Sequence, residues 1–254
     1  MIHIKSQREI EMMREAGSIT ARILHEVAEA ARPGITTFEL DEIAERRCKD
    51  LGVKPAFKGY QGFPGSLCVS LNHEVIHGIP SSKRTMKSGD IIGLDFGVVY
   101  EGFYGDAAIS VPIGKITPEA ERLLKVTEES LNLGIQQARP GNHLFDISHA
   151  IQNCVEAVGF SVVREFVGHG IGRSLHEDPQ VPNFGPKGKG VLLKEGMVLA
   201  IEPMINAGGH AVRIEADGWT ATTVDGSLSA HFEHTVAITE DGPEILTRYE
   251  GDNQ

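Results

Sequence analysis

Apolar positions along the chain first fall at helical spacing and then at strand spacing. Ser6 with Glu9 forms a capping-box pattern. It opens a long helix with Ile10, Met13, Ala16, Ile19, Ile23 and Val27 on one stripe, stopped by Arg32-Pro33-Gly34. Thr36 with Glu39 opens a second helix carrying Leu40, Ile43, Ala44 and Cys48, which ends near Gly52. A Gly- and Pro-rich loop over 55–66 projects Phe57, Tyr60 and Phe63. A short strand from Leu67 to Leu71 precedes Asn72-His73-Glu74-Val75-Ile76-His77-Gly78-Ile79-Pro80. Gly93 to Ser110 reads as two apolar strands turning at Tyr100-Glu101. Thr117-Pro118 opens a third helix, which ends at Ala138-Arg139-Pro140-Gly141. A fourth helix runs from about His143 to Val158. Beyond Phe166 the pattern predicts strands at Met197–Ile201, Trp219–Thr223 and Phe232–Ile238, and a surface loop over 182–190.

The pattern repeats. Ala-Arg-Pro-Gly at 31–34 recurs at 138–141, an offset of 107 (141 − 34). Gly52 and Gly159, Gly89 and Gly196, and Asp95 and Glu202 stand at the same offset. Each half therefore reads as two helices followed by antiparallel strands, an α+β arrangement. Two halves that place a carboxylate at equivalent positions converge on one site near their pseudo-twofold axis.

A carboxylate interrupts each strand of the 93–110 hairpin. With the turn at Tyr100-Glu101, Asp95 and Asp106 lie opposite one another, and like charges so placed repel. Three arrangements relieve this: a divalent cation between them, a solvated face, or a slipped register that separates them. Flanking Ile91, Ile92, Leu94, Phe96, Ile109 and Val111 argue against full exposure. His169 in Gly-His-Gly, Glu202 in Ile-Glu-Pro and Glu233 in Glu-His-Thr interrupt apolar or Gly-rich stretches in the same way, with His77 and His176 of similar character. Four carboxylates and one imidazole suit hard or borderline divalent ions.

The chain has 254 residues, enough for one large domain or two small ones. Its net charge of −11 argues against a general nucleic-acid-binding surface. Cys48, Cys68 and Cys154 are widely spaced, which fits a reducing compartment and argues against both a disulfide framework and a zinc ribbon. The first residues contain no signal-peptide h-region, and the chain carries no apolar run of transmembrane length. A cytoplasmic location follows as an expectation.

His-Gly-Ile-Pro at 77–80, Leu-Asp-Phe-Gly at 94–97, Gly-Asp at 105–106, Gly-His-Gly-Ile-Gly at 168–172, Ile-Glu-Pro at 201–203 and Glu-His-Thr at 233–235 occur in that order. Together they resemble the type I methionine aminopeptidases, within the larger family sharing the pita-bread fold. The resemblance covers nearly the whole chain. It implies two pseudo-symmetric halves of helices packed on a curved antiparallel sheet. It implies a single catalytic domain over 1–254, with an internal two-fold repeat and no N-terminal extension.

The resemblance further implies two divalent metal ions (Co, Mn, Fe, Zn or Ni) held by Asp95, Asp106, His169, Glu202 and Glu233, with Asp106 and Glu233 bridging. Water activated by those ions removes the N-terminal methionine of nascent proteins and of peptides with a small second residue. His77 and His176 contact the substrate, and Glu202 is the best candidate for moving the water's proton. Tyr60, Phe63, Cys68 and Trp219 line the methionine slot, with Phe57 and Leu175 beside them. Phe63, Leu175 and Phe57 depart from the commonest bacterial pattern (Tyr, Phe and Cys), which changes pocket contour while keeping it apolar.

The implied partners are N-termini of nascent chains, with a transient ribosome contact, no DNA, no membrane and a monomeric state. Lys187, Lys189 and Lys194 are the most concentrated lysines for such a contact, though a solvated loop explains them better. The nearest rival is a proline dipeptidase or proline-specific aminopeptidase of the same fold. Those usually carry an additional N-terminal domain, for which a first capping box at Ser6 leaves no room. Type II methionine enzymes need a helical insertion, for which the 32 residues between His169 and Glu202 (202 − 169 − 1) are too few. A non-catalytic binding protein on this fold predicts a lost ligand. His3, His25, His143, His149 and His210 receive no role, and His73 and His231 flank the site without a nameable partner. His234 should face away from Glu233.

Overall fold

Ser6 and Thr36 each accept a hydrogen bond from the backbone of the glutamate three residues on, and each glutamate reaches back to its cap. These capping boxes start α1 (Gln7–Ala30) and α2 (Thr37–Leu51) in the computed structural model, which describes residues 1–249 and 251. Next come β1 (Lys54–Pro55), a 3-10 turn (Tyr60–Gly62), β2 (Cys68–Leu71), β3 (Glu74–Ile76), β4 (Ile91–Tyr100) and β5 (Phe103–Pro112). The second half begins with α3 (Pro118–Gln137) and α4 (Leu144–Glu156). It continues through β6 (Ser161–Val162), β7 (Gly168–Gly170), β8 (Glu177–Val181) and β9 (Val198–Ile201). The chain closes with β10 (Met204–Asn206), β11 (Val212–Ile214), β12 (Ala221–Thr223), β13 (Ser229–His231), β14 (Glu233–Thr239) and β15 (Gly242–Ile245).

Nine strands form one antiparallel sheet in the order β1-β4-β5-β14-β9-β7-β8, with β2 also on β4 and β15 on β14. The two halves meet where β5 pairs with β14. Thr235 stitches this seam: it accepts from Asp106 N–H and donates to Asp106 O. Alternation along β4 and β5 sends Leu94, Phe96, Val98 and Ala107 into the core under α1 and α2. Asp95 and Asp106 therefore face the other side. The second half repeats this with Leu199, Ile201, Val236 and Ile238 packed under α3 and α4.

The offset of 107 holds at the level of hydrogen bonds. Gly34 N–H donates to Met86 O and Gly141 N–H to Leu193 O, at 3.0 and 3.1 Å. Thr20 Oγ1 donates to Ala16 O and Thr127 Oγ1 to Leu123 O, at 2.9 and 2.8 Å. Single bridges join Thr36 to Thr85 and His143 to Leu192. Equivalent backbone groups in the two halves thus find equivalent partners.

The expected hairpin turn is corrected by one residue, which moves each cross-strand partner by two. Tyr100 pairs with Phe103, so the loop residues are Glu101 and Gly102, not Tyr100 and Glu101. Both have positive φ (48° and 81°), as a type I′ turn requires. Gly102 takes a left-handed position without a steric cost, where a tyrosine would be strained. Asp106 consequently lies opposite Gly97, and Asp95 opposite Ala108. Because the shift is two residues, both aspartates keep the same face. Gly97 also leaves Asp106 room, since a Cβ there would stand 3.2 Å from Asp106 Oδ1.

Helix α4 is shorter than expected at both ends, and the strand expected at Trp219–Thr223 begins only at Ala221. Trp219 instead sits in the turn before β12. The loop at 182–190 contains no helix or strand. Among the described residues no helix is long and apolar enough to cross a membrane.

Candidate active site and metal centre

Asp95 on β4, Asp106 on β5, His169 on β7 and Glu233 on β14 occupy the sheet's concave side, with Glu202 directly after β9. All five line one cavity of about 230 Å³. One ligand atom each from Asp106, His169 and Glu233 lies within 4.8 Å of the others. His169 Nε2 stands 4.0 Å from Asp106 Oδ2 and 3.4 Å from Glu202 Oε1. His169 Nδ1 lies 2.9 Å from Gly170 O, so Nδ1 carries the proton and donates. Nε2 then presents its lone pair to the carboxylates.

The electrostatics of the protein alone are unfavourable. Burial holds Asp95 up at about 7. Burial, followed by the neighbouring carboxylates, pushes Asp106, Glu202 and Glu233 well above the ordinary range. Burial and the neighbouring His176 push His169 down to about 3. Asp95 Oδ1, Asp106 Oδ1 and Glu233 Oε1 are buried without a hydrogen-bond partner. Buried native oxygens are normally satisfied. Unpartnered carboxylate oxygens converging with an imidazole lone pair are the donor set of a divalent-cation centre, so these residues fit metal ions.

Much of the remaining lining is apolar: Phe57, Tyr60, Phe63, Cys68, Leu175 and Trp219 all border the cavity. Phe63 and Trp219 meet edge to face with centroids 5.2 Å apart. Cys68 pairs with Asp95 across β2 and β4, and burial pushes its thiol well up, leaving it an apolar lining group. Asp41, buried on α2, accepts from Ser66 and Leu67 N–H at 2.7 and 2.9 Å, fixing the loop between Phe63 and Cys68.

His77 and His176 also line the cavity. His77 has φ +59°, a strained conformation for a non-glycine residue. It is held by its neighbour: Gly78 N–H donates to Ser70 Oγ, and Gly78 O accepts from Val69 N–H. Burial, followed by His176, pushes His77 down to about 4, so it is neutral at pH 7. His176 Nδ1 lies 2.7 Å from Tyr60 OH, and its ring centroid is 4.2 Å from that of His169. The loop before it is tied by Glu177, which accepts from Arg173 and Ser174 N–H and from Lys5 Nζ at 2.8 Å.

Every residue singled out in the sequence for the site thus lines this cavity. Two further residues belong to the neighbourhood. Gln61, in the 3-10 turn, lines the cavity. His231 is buried with Nε2 3.7 Å from Glu202 Oε2. The pairing of β10 with β13, which brings His231 there, leaves no periodic signal in strands of three residues. His234 faces away as expected, its Nδ1 2.9 Å from Thr247 Oγ1.

The model of metallopeptidase family M24 matches residues 11–240. The chain belongs to that family. It is a metal-dependent hydrolase on the α+β pita-bread fold. Methionine aminopeptidase 1 of Bacillus subtilis is 57% identical over 248 residues, spanning 98% of this chain and all of its own. The crystal structure of methionine aminopeptidase from Thermotoga maritima superposes with a TM-score of 0.96 at 51% identity, over 98% of this chain and 100% of that one. A prolidase from Pyrococcus horikoshii shares the fold at 23% identity and a TM-score of 0.79, but only 64% of its chain is matched.

Proposed function

We propose that this chain is an aminopeptidase that removes the N-terminal methionine from proteins and peptides whose second residue is small. The observation that carries the reading is one cavity with two unlike walls: a ring of unpartnered carboxylates with His169, and an apolar slot closed by Phe63 and Trp219. A slot of this character suits an unbranched thioether. Asp95, Asp106, His169, Glu202 and Glu233 would hold two divalent ions, with Asp106 and Glu233 shared. Such ions supply a Lewis acid for the scissile carbonyl and water acidified toward neutral pH.

The chain's own groups do the rest. His77 and His176, on either side of the cavity, donate hydrogen bonds to the developing tetrahedral centre and to the leaving nitrogen. Tyr60 orients His176 through its ring nitrogen. Glu202, on the cavity wall beside His169, is the group that takes up and returns the proton of the attacking water. Phe57 and Leu175, with Cys68, shape the far end of the slot.

Residues 1–254 act as one catalytic domain with an internal two-fold repeat in this reading, residues 250 and 252–254 lying outside those described. The same reading places the enzyme in the cytoplasm as a monomer that meets nascent chains at the ribosome and binds neither DNA nor membrane. Which of Co, Mn, Fe, Zn or Ni serves in the cell is left to the donor set, which accepts each of them.

The test is release of the first residue from Met-Gly-Met-Met and Ala-Pro-Ala by metal-stripped protein re-supplied with Mn, Fe or Co, beside Asp106→Asn. Metal-dependent methionine release that disappears in the variant supports the proposal. Cleavage only before proline transfers the chain to the proline-specific peptidases. Metal binding without cleavage leaves a binding protein.

A further inference from the structure

The carboxylate of Glu202 lies between two imidazoles. His169 Nε2 is 3.4 Å from Oε1, and His231 Nε2 is 3.7 Å from Oε2. The first imidazole belongs to the candidate metal centre and the second has no part in it so far. His231 is 3% exposed, and its Nε2 is a buried nitrogen without a hydrogen-bond partner. Such an atom in a native interior calls for an explanation. Its backbone is fixed at both polar groups. His231 N–H donates to Ser110 Oγ, and Ser110 Oγ donates to His231 O, each at 2.9 Å. Pairing with Met204 on β10 fixes the strand, so the ring is presented to Glu202 by a rigid frame.

An uncharged imidazole carries one ring proton, on Nδ1 or Nε2. A neutral imidazole with that proton on Nε2 is a donor toward the carboxylate. The separation exceeds the ~2.9 Å of an N–H···O bond by under about 1 Å. A side-chain adjustment of that size gives the orphaned Nε2 its partner in Glu202 Oε2.

We infer that His231 is a positioning residue: its Nε2–H holds Oε2 of Glu202 and thereby turns Oε1 toward the metal-binding cluster. The inference rests on the reading of Glu202 as a metal ligand. Held this way, Glu202 offers one oxygen to a cation and keeps the other engaged. Outer partners of this kind orient the ligand and tune its basicity, and their loss typically costs tenfold to a hundredfold in metal affinity.

The experiment titrates Mn(II) and Co(II) calorimetrically into metal-stripped wild type, His231→Leu, His231→Asn, His231→Gln and Glu202→Gln. The visible spectrum of each Co(II)-loaded protein is recorded alongside. Expected are a tenfold to hundredfold loss of affinity and an altered Co(II) spectrum for Leu. The same is expected for Asn, whose amide stops short of the Nε2 position. Gln, whose amide reaches it, should restore both. Asn serves if Leu does not fold. Wild-type affinity and spectrum in the Leu or Asn variant, while Glu202→Gln binds weakly, overturn the role of His231 and spare the ligand. Wild-type binding by Glu202→Gln overturns the ligand reading itself, and this inference with it.

Discussion

Glu202 Oε1 faces His169 Nε2 across 3.4 Å, and His169 offers no proton there once its own is engaged by Gly170 O. Two acceptors at that separation need either a protonated carboxyl or a cation. The choice depends on pH. Asp95, Asp106, Glu202 and Glu233 all have raised pKa values in the folded protein. Without metal, their contribution to stability is full below the ordinary carboxylate range and is lost as pH rises, through about 7 at Asp95. His77 and His169 act oppositely. Their contribution is full above the ordinary histidine value of about 6.5 and is lost as pH falls through about 4 and about 3. Cations require the deprotonated carboxylates. Mn(II) should therefore raise Tm more at pH 8 than at pH 6, and its binding at pH 6 should release protons, read by calorimetry in buffers of different ionisation enthalpy. Equal shifts at both pH values, without proton release, would contradict this.

Gly78 should be intolerant of a side chain for a reason that concerns His77. A Cβ at position 78 would stand 2.1 Å from Val69 O. Accommodating it moves the residue that precedes it, already at positive φ. A displacement of about 1 Å at a catalytic group costs on the order of a hundredfold in rate. Gly78→Ala should lower kcat/KM on methionyl peptides by ten- to a hundredfold while Co(II) affinity stays near wild type. Unchanged kinetics would show that His77 has no such role.

Lys5 should matter to the loop that carries His176. Its ammonium pairs with Glu177, with side chains only 6% and 9% exposed. Removing one member strands the other, at a cost of about 3–5 kcal/mol. Lys5→Met should lower Tm by roughly 10 °C and depress kcat. Adding Glu177→Gln should recover part of the loss, since Gln still accepts from Arg173 and Ser174 N–H. A double variant less stable than Lys5→Met would refute the stranded-charge account.

Trp219 meets Phe63 edge to face in the apolar slot, with the His77 ring 6.2 Å away between centroids. Trp219→Ala should raise KM for methionyl peptides about tenfold with kcat within a few-fold, the pattern of lost uniform binding. Steady-state kinetics decide it, and a fall confined to kcat would contradict the slot assignment.

The five proposed ligands were legible because each breaks an apolar or glycine-rich run, and chain order was enough to collect them. The offset of 107 was legible because Gly34, Gly52 and Gly89 and their counterparts mark turns that only certain residues make well. Register was less legible. Tyr100-Glu101 and Glu101-Gly102 both give plausible two-residue turns, and only the demand for two positive φ values separates them. His231 was set aside because its partner Glu202 lies 29 positions away (231 − 202), reached through a β10–β13 pairing of three-residue strands. Strands that short carry no readable alternation.

The two halves differ most in how their central strands are joined. In the first, Glu101 and Gly102 suffice between β4 and β5. In the second, residues 202–232 intervene between β9 and β14, holding β10 to β13, Trp219 and His231. The strand frame bearing the carboxylates is thus duplicated, whereas this excursion exists once and supplies Trp219 to the slot. The pseudo-symmetry is broken on one side only. Between Glu202 and His231, which stay with the reacting frame, evolution or a protein engineer has a segment through which what is recognised can drift while what reacts is conserved.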